Sequence, residues 1–276
     1  MKGGQEVALF LHYRKQHSFV PAVDECSKTK RCHRRDWMQR YVAFRGKIMR
    51  RIVKGQMRVH YAASMIGGFL GGYTIFNHMD IFGNAQTGNL IKMVLDMCRG
   101  DFTFVGFMFV SFLLYCGGNV FYVLVRRKVN ISMKIVSLIC TSAAIVAVGA
   151  LPFVRNDFIA CYPIIFIAPI QWNAFKIAGG NSSSTIFSSN NVRQAAMLTA
   201  NYFLNRDAAI RRKAAFYWLT LLSFHIGVAL SGLISVWIGV YSIWFCFLPV
   251  LLAVAAYYRY QSEKLRVAEL VSRSRT

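Results

Sequence analysis

Asn84-Ala85-Gln86-Thr87-Gly88-Asn89-Leu90 and Ser188-Ser189-Asn190-Asn191-Val192-Arg193 are two short polar stretches in an otherwise apolar chain. With Gln86 set against Ser188 they read as one motif written twice, 102 residues apart. Each follows one membrane-length apolar segment and leads into a short amphipathic run, which predicts a duplicated membrane unit with an interrupted helix in each copy. That pattern points to a transport pathway.

The rest of the chain supports a membrane setting. Of 276 residues, 55% are hydrophobic and only 16% charged, with mean hydropathy +0.39. The apolar residues gather into long runs, as in membrane chains. A hydrocarbon core about 30 Å thick requires roughly 20 apolar residues in helical form. Six stretches qualify: 59 to 76, 102 to 125, 134 to 153, 158 to 175, 214 to 239 and 242 to 258. Shifting the first and third by 102 residues lands close to the fourth and sixth. The second maps less well, because a basic, insertion-like segment occupies 206 to 213. Three spans per half is an odd number, so the second half must enter the membrane upside down. The expected fold is an all-α integral membrane protein. Its six transmembrane helices form two inverted three-helix repeats, 57 to 155 and 156 to 258, each with a broken or re-entrant short helix.

A net charge of +22 raises nucleic acid as a partner, but 15 of the 33 Lys and Arg residues precede residue 59, beside the first span. A membrane surface explains them better, and no nucleic-acid partner is expected. With six crossings, 30 of the 33 fall on one side, which the positive-inside rule makes cytoplasmic. Both termini then lie in the cytoplasm, with the chain in the plasma (inner) membrane. Residues 1 to 35 read as a disordered tail and 259 to 276 as a basic cytoplasmic tail. Between 36 and 56, Trp37, Tyr41, Phe44, Ile48 and Ile52 recur at helical spacing among basic residues. This predicts a basic amphipathic juxtamembrane helix against anionic lipids of the bilayer.

Seven scattered cysteines make no disulfide framework and no zinc-site spacing. The zinc-protease, nucleophile-elbow and phosphate-loop motifs are absent from the sequence. Neither metal, nor cofactor, nor enzymatic activity is expected.

Two segments resemble a known family. Gly67 to Met93, GGFLGGYTIFNHMDIFGNAQTGNLIKM, is similar to the glycine-rich first helix and Thr-Gly-Asn signature of the YoaK-like bacterial membrane proteins, domain of unknown function 1275. Gln171 to Ala195, QWNAFKIAGGNSSSTIFSSNNVRQA, resembles that family's Gln-Asn-Ala stretch and second signature. The likeness covers residues 57 to 260. The chain departs from the pattern at Gly71, where the family often carries an acid, and at Asn190, in place of a glycine. It departs also in the basic region before residue 57. The resemblance implies a fold and transfers no activity.

The candidate site is the paired motifs. Gln86, Thr87 and Asn89 in the first copy, and Ser189, Asn190 and Asn191 in the second, can cap short helices by accepting free N–H groups. Such helix starts carry partial positive charge and can face a polar or anionic solute. Arg193 is either a ligand for an anionic group or an interface anchor. Asn173 and Gln171, at the end of the fourth span, line the same cavity or bond to neighbouring helices. His225, in mid-span, needs a hydrogen-bond partner and is either a packed polar residue or a proton relay. Asp80, Lys92 and Asp96 lie between the first two spans. They are functional charges or interfacial ones with Lys92 paired to Asp96. Small ridges on the first and fifth spans, Gly67 and Gly71 on one and Ser223, Gly227, Ser231 and Ser235 on the other, allow close helix contact within the chain or in a homo-oligomer. The expected function is a channel or secondary transporter for a small polar or anionic solute, with Asn89 and Asn191 approaching each other near the midplane. The alternative is a non-transporting scaffold or regulator that recruits lipid or a partner through its basic N-terminal helix.

Overall fold

The computed structural model describes residues 28–78, 81–150 and 156–273. The expected tail before residue 28, the acid at Asp80 and the end of the third apolar run therefore lie outside the described residues. The chain divides into two units, Met1–Lys47 and Ile48–Thr276. The described part of the first is helical from Lys28 onward.

The helix α1 (Lys28–Asn77) contains the first apolar run. It is followed by α2 (Gln86–Arg99), α3 (Phe102–Lys128), α4 (Met133–Ala150) and α5 (Asp157–Phe175). A two-stranded hairpin, β1 (Ile177–Ala178) and β2 (Asn181–Ser182), precedes α6 (Ser189–Asn205) and α7 (Ala208–Ile238). A 3-10 segment, Gly239–Cys246, then leads into α8 (Phe247–Arg273). Among the described residues, four stretches are long and apolar enough to cross a membrane: α3, α4, α5 and the run Ala208–Glu269. This is the build of an integral membrane protein. The last run holds the fifth and sixth expected segments, parted where Gly239 adopts φ 56, a left-handed value that ends α7.

Local chemistry sets the other boundaries. The hairpin turns on Gly179 (φ 58) and Gly180 (φ 81), two adjacent left-handed positions that suit a tight primed turn. Gly100 (φ 80) ends α2, and the Asp101 carboxylate caps α3 by accepting from the Phe104 N–H at 3.1 Å. In the second half Arg206 (φ 54) ends α6, and Asp207 caps α7 by accepting from the Ala209 N–H at 2.7 Å. The two joints have the same construction. With 17 residues in α6 against 14 in α2, the second joint falls nearly one helical turn late. That extra turn explains why the second apolar run repeats imperfectly.

Helix directions follow from contacts along their lengths. His60 meets the Phe175 carbonyl at 2.9 Å, Gln171 donates to the Ala63 carbonyl at 2.8 Å, and His78 meets Asp157 at 2.9 Å. As numbering rises along α1 it falls along α5, so the two helices are antiparallel. Beside α5, α3 runs parallel: the Tyr162 hydroxyl donates to the Phe107 carbonyl at 3.2 Å and the Tyr122 hydroxyl to the Asn173 carbonyl at 3.2 Å. Beside α1, α7 runs parallel, with Gly227 against Met65 and Asn77 donating to the Ser235 hydroxyl at 2.9 Å. Thus α1 and α3 point in opposite directions although α2 stands between them.

The central core joins α1, α4, α5 and α8 through Val59, Ile66, Ile145, Ile164, Val250 and Tyr257, among others. Each short helix rests on its own smaller cluster. Under α2 lie Ile81, Met108, Phe158, Cys161 and Ile165. Ala195 of α6 packs on Ala178, Phe216, Tyr217 and Leu221, with Met57 and Tyr61 of α1 against them. The first short helix therefore sits over the beginning of α5, and the second over the matching part of α1.

Candidate functional site

Beyond Asn77 the chain turns back along α1 instead of leaving it. The Gly83 N–H donates to the Thr74 hydroxyl at 3.1 Å, and the Asn84 amide donates to the Gly67 carbonyl at 3.0 Å while resting on Gly71. From the other end of α1, Ser183 meets His60 at 3.1 Å and the Thr185 carbonyl lies on Gly67. Two polar loops thus reach α1 from opposite ends and meet at Gly67, the middle of the apolar run 59 to 76. Only glycine allows this approach, because a Cβ at residue 67 would collide with the Thr185 carbonyl oxygen.

The two loops are held by the same device. Asn89, 1% exposed, donates to the Phe82 carbonyl at 2.8 Å and accepts from the Phe82 N–H at 3.2 Å. Asn191, also 1% exposed, donates to the Ser184 carbonyl at 2.7 Å and accepts from the Ser184 N–H at 3.3 Å. Each amide pairs with the backbone seven residues earlier, and the 102-residue offset carries one pair onto the other. Both asparagines lie inside their helices and tie the incoming loop down, so they do not act as N-caps. Ala85 and Ser188, at the cap positions, make no side-chain cap bond. The residues that reach Gly67 are Asn84 and Thr185; Asn89 and Asn191 each bond to their own loop.

The Gln86 amide oxygen and nitrogen, the Gln171 Oε1, the Thr185 Oγ1 and the Ser188 Oγ are buried without a hydrogen-bond partner. Gln86 and Ser188 occupy equivalent positions in the two copies. A buried polar group without a partner costs about 1–3 kcal/mol, so several spread over the two loops, the starts of α2 and α6, and α5 ask for a ligand or water. All four residues are uncharged.

The remaining candidates lie elsewhere. Thr87 and Ser189 are exposed. Arg193 is exposed, and its guanidinium donates to Asn190 at 3.0 Å on its own helix. Asn173 donates to Asn119 at 3.0 Å, linking α5 to α3. His225 is exposed, and its Nδ1 meets the Leu221 carbonyl one turn back at 2.8 Å. Asp96 pairs with Arg99 at 3.1 Å, and Lys92 lies over the Phe104 ring. Gly227 and Ser235 face α1, so that small-residue ridge packs within the chain.

Four participants were not among the sequence candidates: His60, Ser183, His78 and Thr185. His60, fully buried in α1, binds Phe175 on one side and Ser183 on the other, and Ser183 donates to Asn191 at 2.9 Å. At the opposite end His78 joins Asp157 to the Tyr73 hydroxyl, which donates to the Val240 carbonyl at 3.0 Å. The polar run Asn181 to Thr185, placed directly after an apolar span, was the available signal for Ser183 and Thr185. Among the described residues no three His, Cys, Asp or Glu side chains gather as for a metal.

Fold and site together define a helical membrane protein with paired polar loops that meet inside its bundle. The chain belongs to the family described as Protein of unknown function (DUF1275), whose model matches residues 59–256. No curated protein and no solved structure matches it.

Proposed function

We propose that this chain is a six-span channel or secondary transporter, built as two inverted repeats, that passes a small polar or anionic solute where its two loops cross. The observation that carries this reading is the approach of both loops to Gly67, with buried polar atoms on the same two segments that nothing among the described residues satisfies. The antiparallel pairing of α1 with α5 supports inversion, because these helices are repeat equivalents. The opposed directions of α1 and α3 support a re-entrant α2, since a crossing α2 would make them parallel. At about 1.5 Å per residue, the 14 residues of α2 reach about 21 Å, short of a 30 Å core. Non-helical backbone at that depth is tolerated only when buried in protein or lining a wet cavity. The uncharged lining favours a solute held by hydrogen bonds, and the uncapped N–H groups of α2 and α6 could also receive an anionic group.

In this reading both termini are cytoplasmic, in the plasma membrane, and the basic helix over 36 to 56 contacts anionic lipid. The protein moves its solute without transforming it. The test is flux in proteoliposomes for urea, glycerol, nitrate and formate, comparing wild type with Gln86→Leu plus Ser188→Ala. Removing unpartnered buried polar atoms should leave thermal stability equal or higher while flux falls at least tenfold. Unchanged flux in folded protein would remove these residues from the pathway. Absence of flux for all solutes in wild type would count against transport.

A further inference from the structure

A second site lies between α1 and α8, away from the crossing loops. A cavity of about 320 Å³ is lined by Arg58 and Ala62 of α1 and by Leu252, Ala255, Arg259 and Glu263 of α8. The two helices run antiparallel here: Gln56 donates to the Tyr260 hydroxyl at 3.1 Å, and Gly55 lies against Tyr260 and Glu263. Residues 55–58 and 259–263 therefore form one end of the cavity, and Ala62, Leu252 and Ala255 the other. The apolar runs 59 to 76 and 242 to 258 both stop at this change from apolar to charged.

Charge and polarity thus follow the order of a phospholipid, with charged groups at one end and small apolar side chains at the other. Arg58 and Arg259 are exposed, and neither guanidinium makes a hydrogen bond or ion pair among the described residues. Lys134, over the Tyr260 ring, adds positive charge nearby. Glu263 breaks the pattern of a simple anion site: its Oε2 is buried without a hydrogen-bond partner. An acceptor of that kind is matched by a headgroup that carries an N–H donor next to its phosphate.

We infer that the α1–α8 cavity binds an ethanolamine phospholipid of the surrounding bilayer. Arg58 and Arg259 take the phosphate, Glu263 accepts from the ammonium, and one acyl chain lies along Ala62, Leu252 and Ala255. Choline lipids present no N–H to Glu263, and glycerol lipids bring no positive charge. Site and solute pathway are separate, so this inference stands without the transport reading.

The experiment is native mass spectrometry of the full chain titrated with matched-chain phosphatidylethanolamine, phosphatidylcholine and phosphatidylglycerol. Wild type should retain the ethanolamine lipid at roughly tenfold lower concentration than the choline lipid, the scale of one charge-assisted hydrogen bond. Glu263→Gln should erase that preference while both lipids still bind, and Arg58→Gln plus Arg259→Gln should weaken all three. Equal affinity of wild type for the ethanolamine and choline lipids would overturn the assignment. So would a preference that survives Glu263→Gln, or tighter binding of the glycerol lipid that ignores this substitution.

Discussion

Asn89 and Asn191 show how a single side chain can stand in for a neighbouring strand. A carboxamide offers one donor and one acceptor in the geometry of a peptide group, so it can pair with both polar atoms of a buried residue that has no sheet or helix to bond to. Phe82 and Ser184 supply those backbone atoms. Replacing either asparagine by leucine strands an N–H and a C=O in the interior. At about 1–3 kcal/mol for each buried group left alone, Asn89→Leu and Asn191→Leu should each lower the melting temperature measurably in detergent. Asn191→Leu should be the more harmful, since Asn191 also accepts from the Ser183 hydroxyl. Asn89→Asp keeps the acceptor but sets a carboxylate oxygen against the Phe82 carbonyl in a buried place, so it should cost at least as much as Asn89→Leu; a smaller loss would point to packing. The repeated placement of these asparagines was legible in the sequence, which predicts that they cap their helices. Their partners were not, because a seven-residue return is neither a helix nor a strand spacing.

At the scale of elements, the glycines divide into those that admit another backbone and those that face open space. Gly67, Gly68 and Gly227 lie so close to the carbonyls of Thr185, Phe224 and Met65 that a Cβ at any of them would collide with backbone. Backbone cannot move aside as the end of a side chain can, so each Gly→Ala change should destabilise by about 1–3 kcal/mol or more. At Gly106 and Gly232 a Cβ would meet no atom within 4 Å. There Gly→Ala should be neutral or stabilising by roughly 0.5–1 kcal/mol through helix propensity. Thermal unfolding of the five variants checks the division, and a uniform response would remove the close-approach argument. The ridge of small residues was readable as a close-packing surface. Which helix it meets was not, since periodicity gives a face and never names the partner.

For the whole molecule, the direction of each helix decides the topology. If α2 turns back without crossing, Cys98 near its end and Ile131 between α3 and α4 lie on opposite sides of the membrane. Both positions are exposed. A membrane-impermeant thiol reagent applied to intact cells should label native Cys98, whereas Ile131→Cys should react only after permeabilisation. A spanning α2 predicts the reverse for Cys98. The sequence by itself determined the membrane class, the apolar runs and the likeness of two polar stretches 102 residues apart, because burying a helix in hydrocarbon demands long uncharged stretches that polar interruptions stand out against. It also marked the polar interruptions, since amides are costly at that depth unless they have work there. Tertiary structure alone decided that Asn84 and Thr185, and not Asn89 and Asn191, are what meet on Gly67, and that Arg193 and His225 face outward. It also decided that Gln86, Gln171, Thr185 and Ser188 are among the buried groups without partners in the described residues. Which polar atoms find a partner depends on the antiparallel packing of α1 against α5, which brings together residues more than 100 positions apart; no local pattern encodes that register.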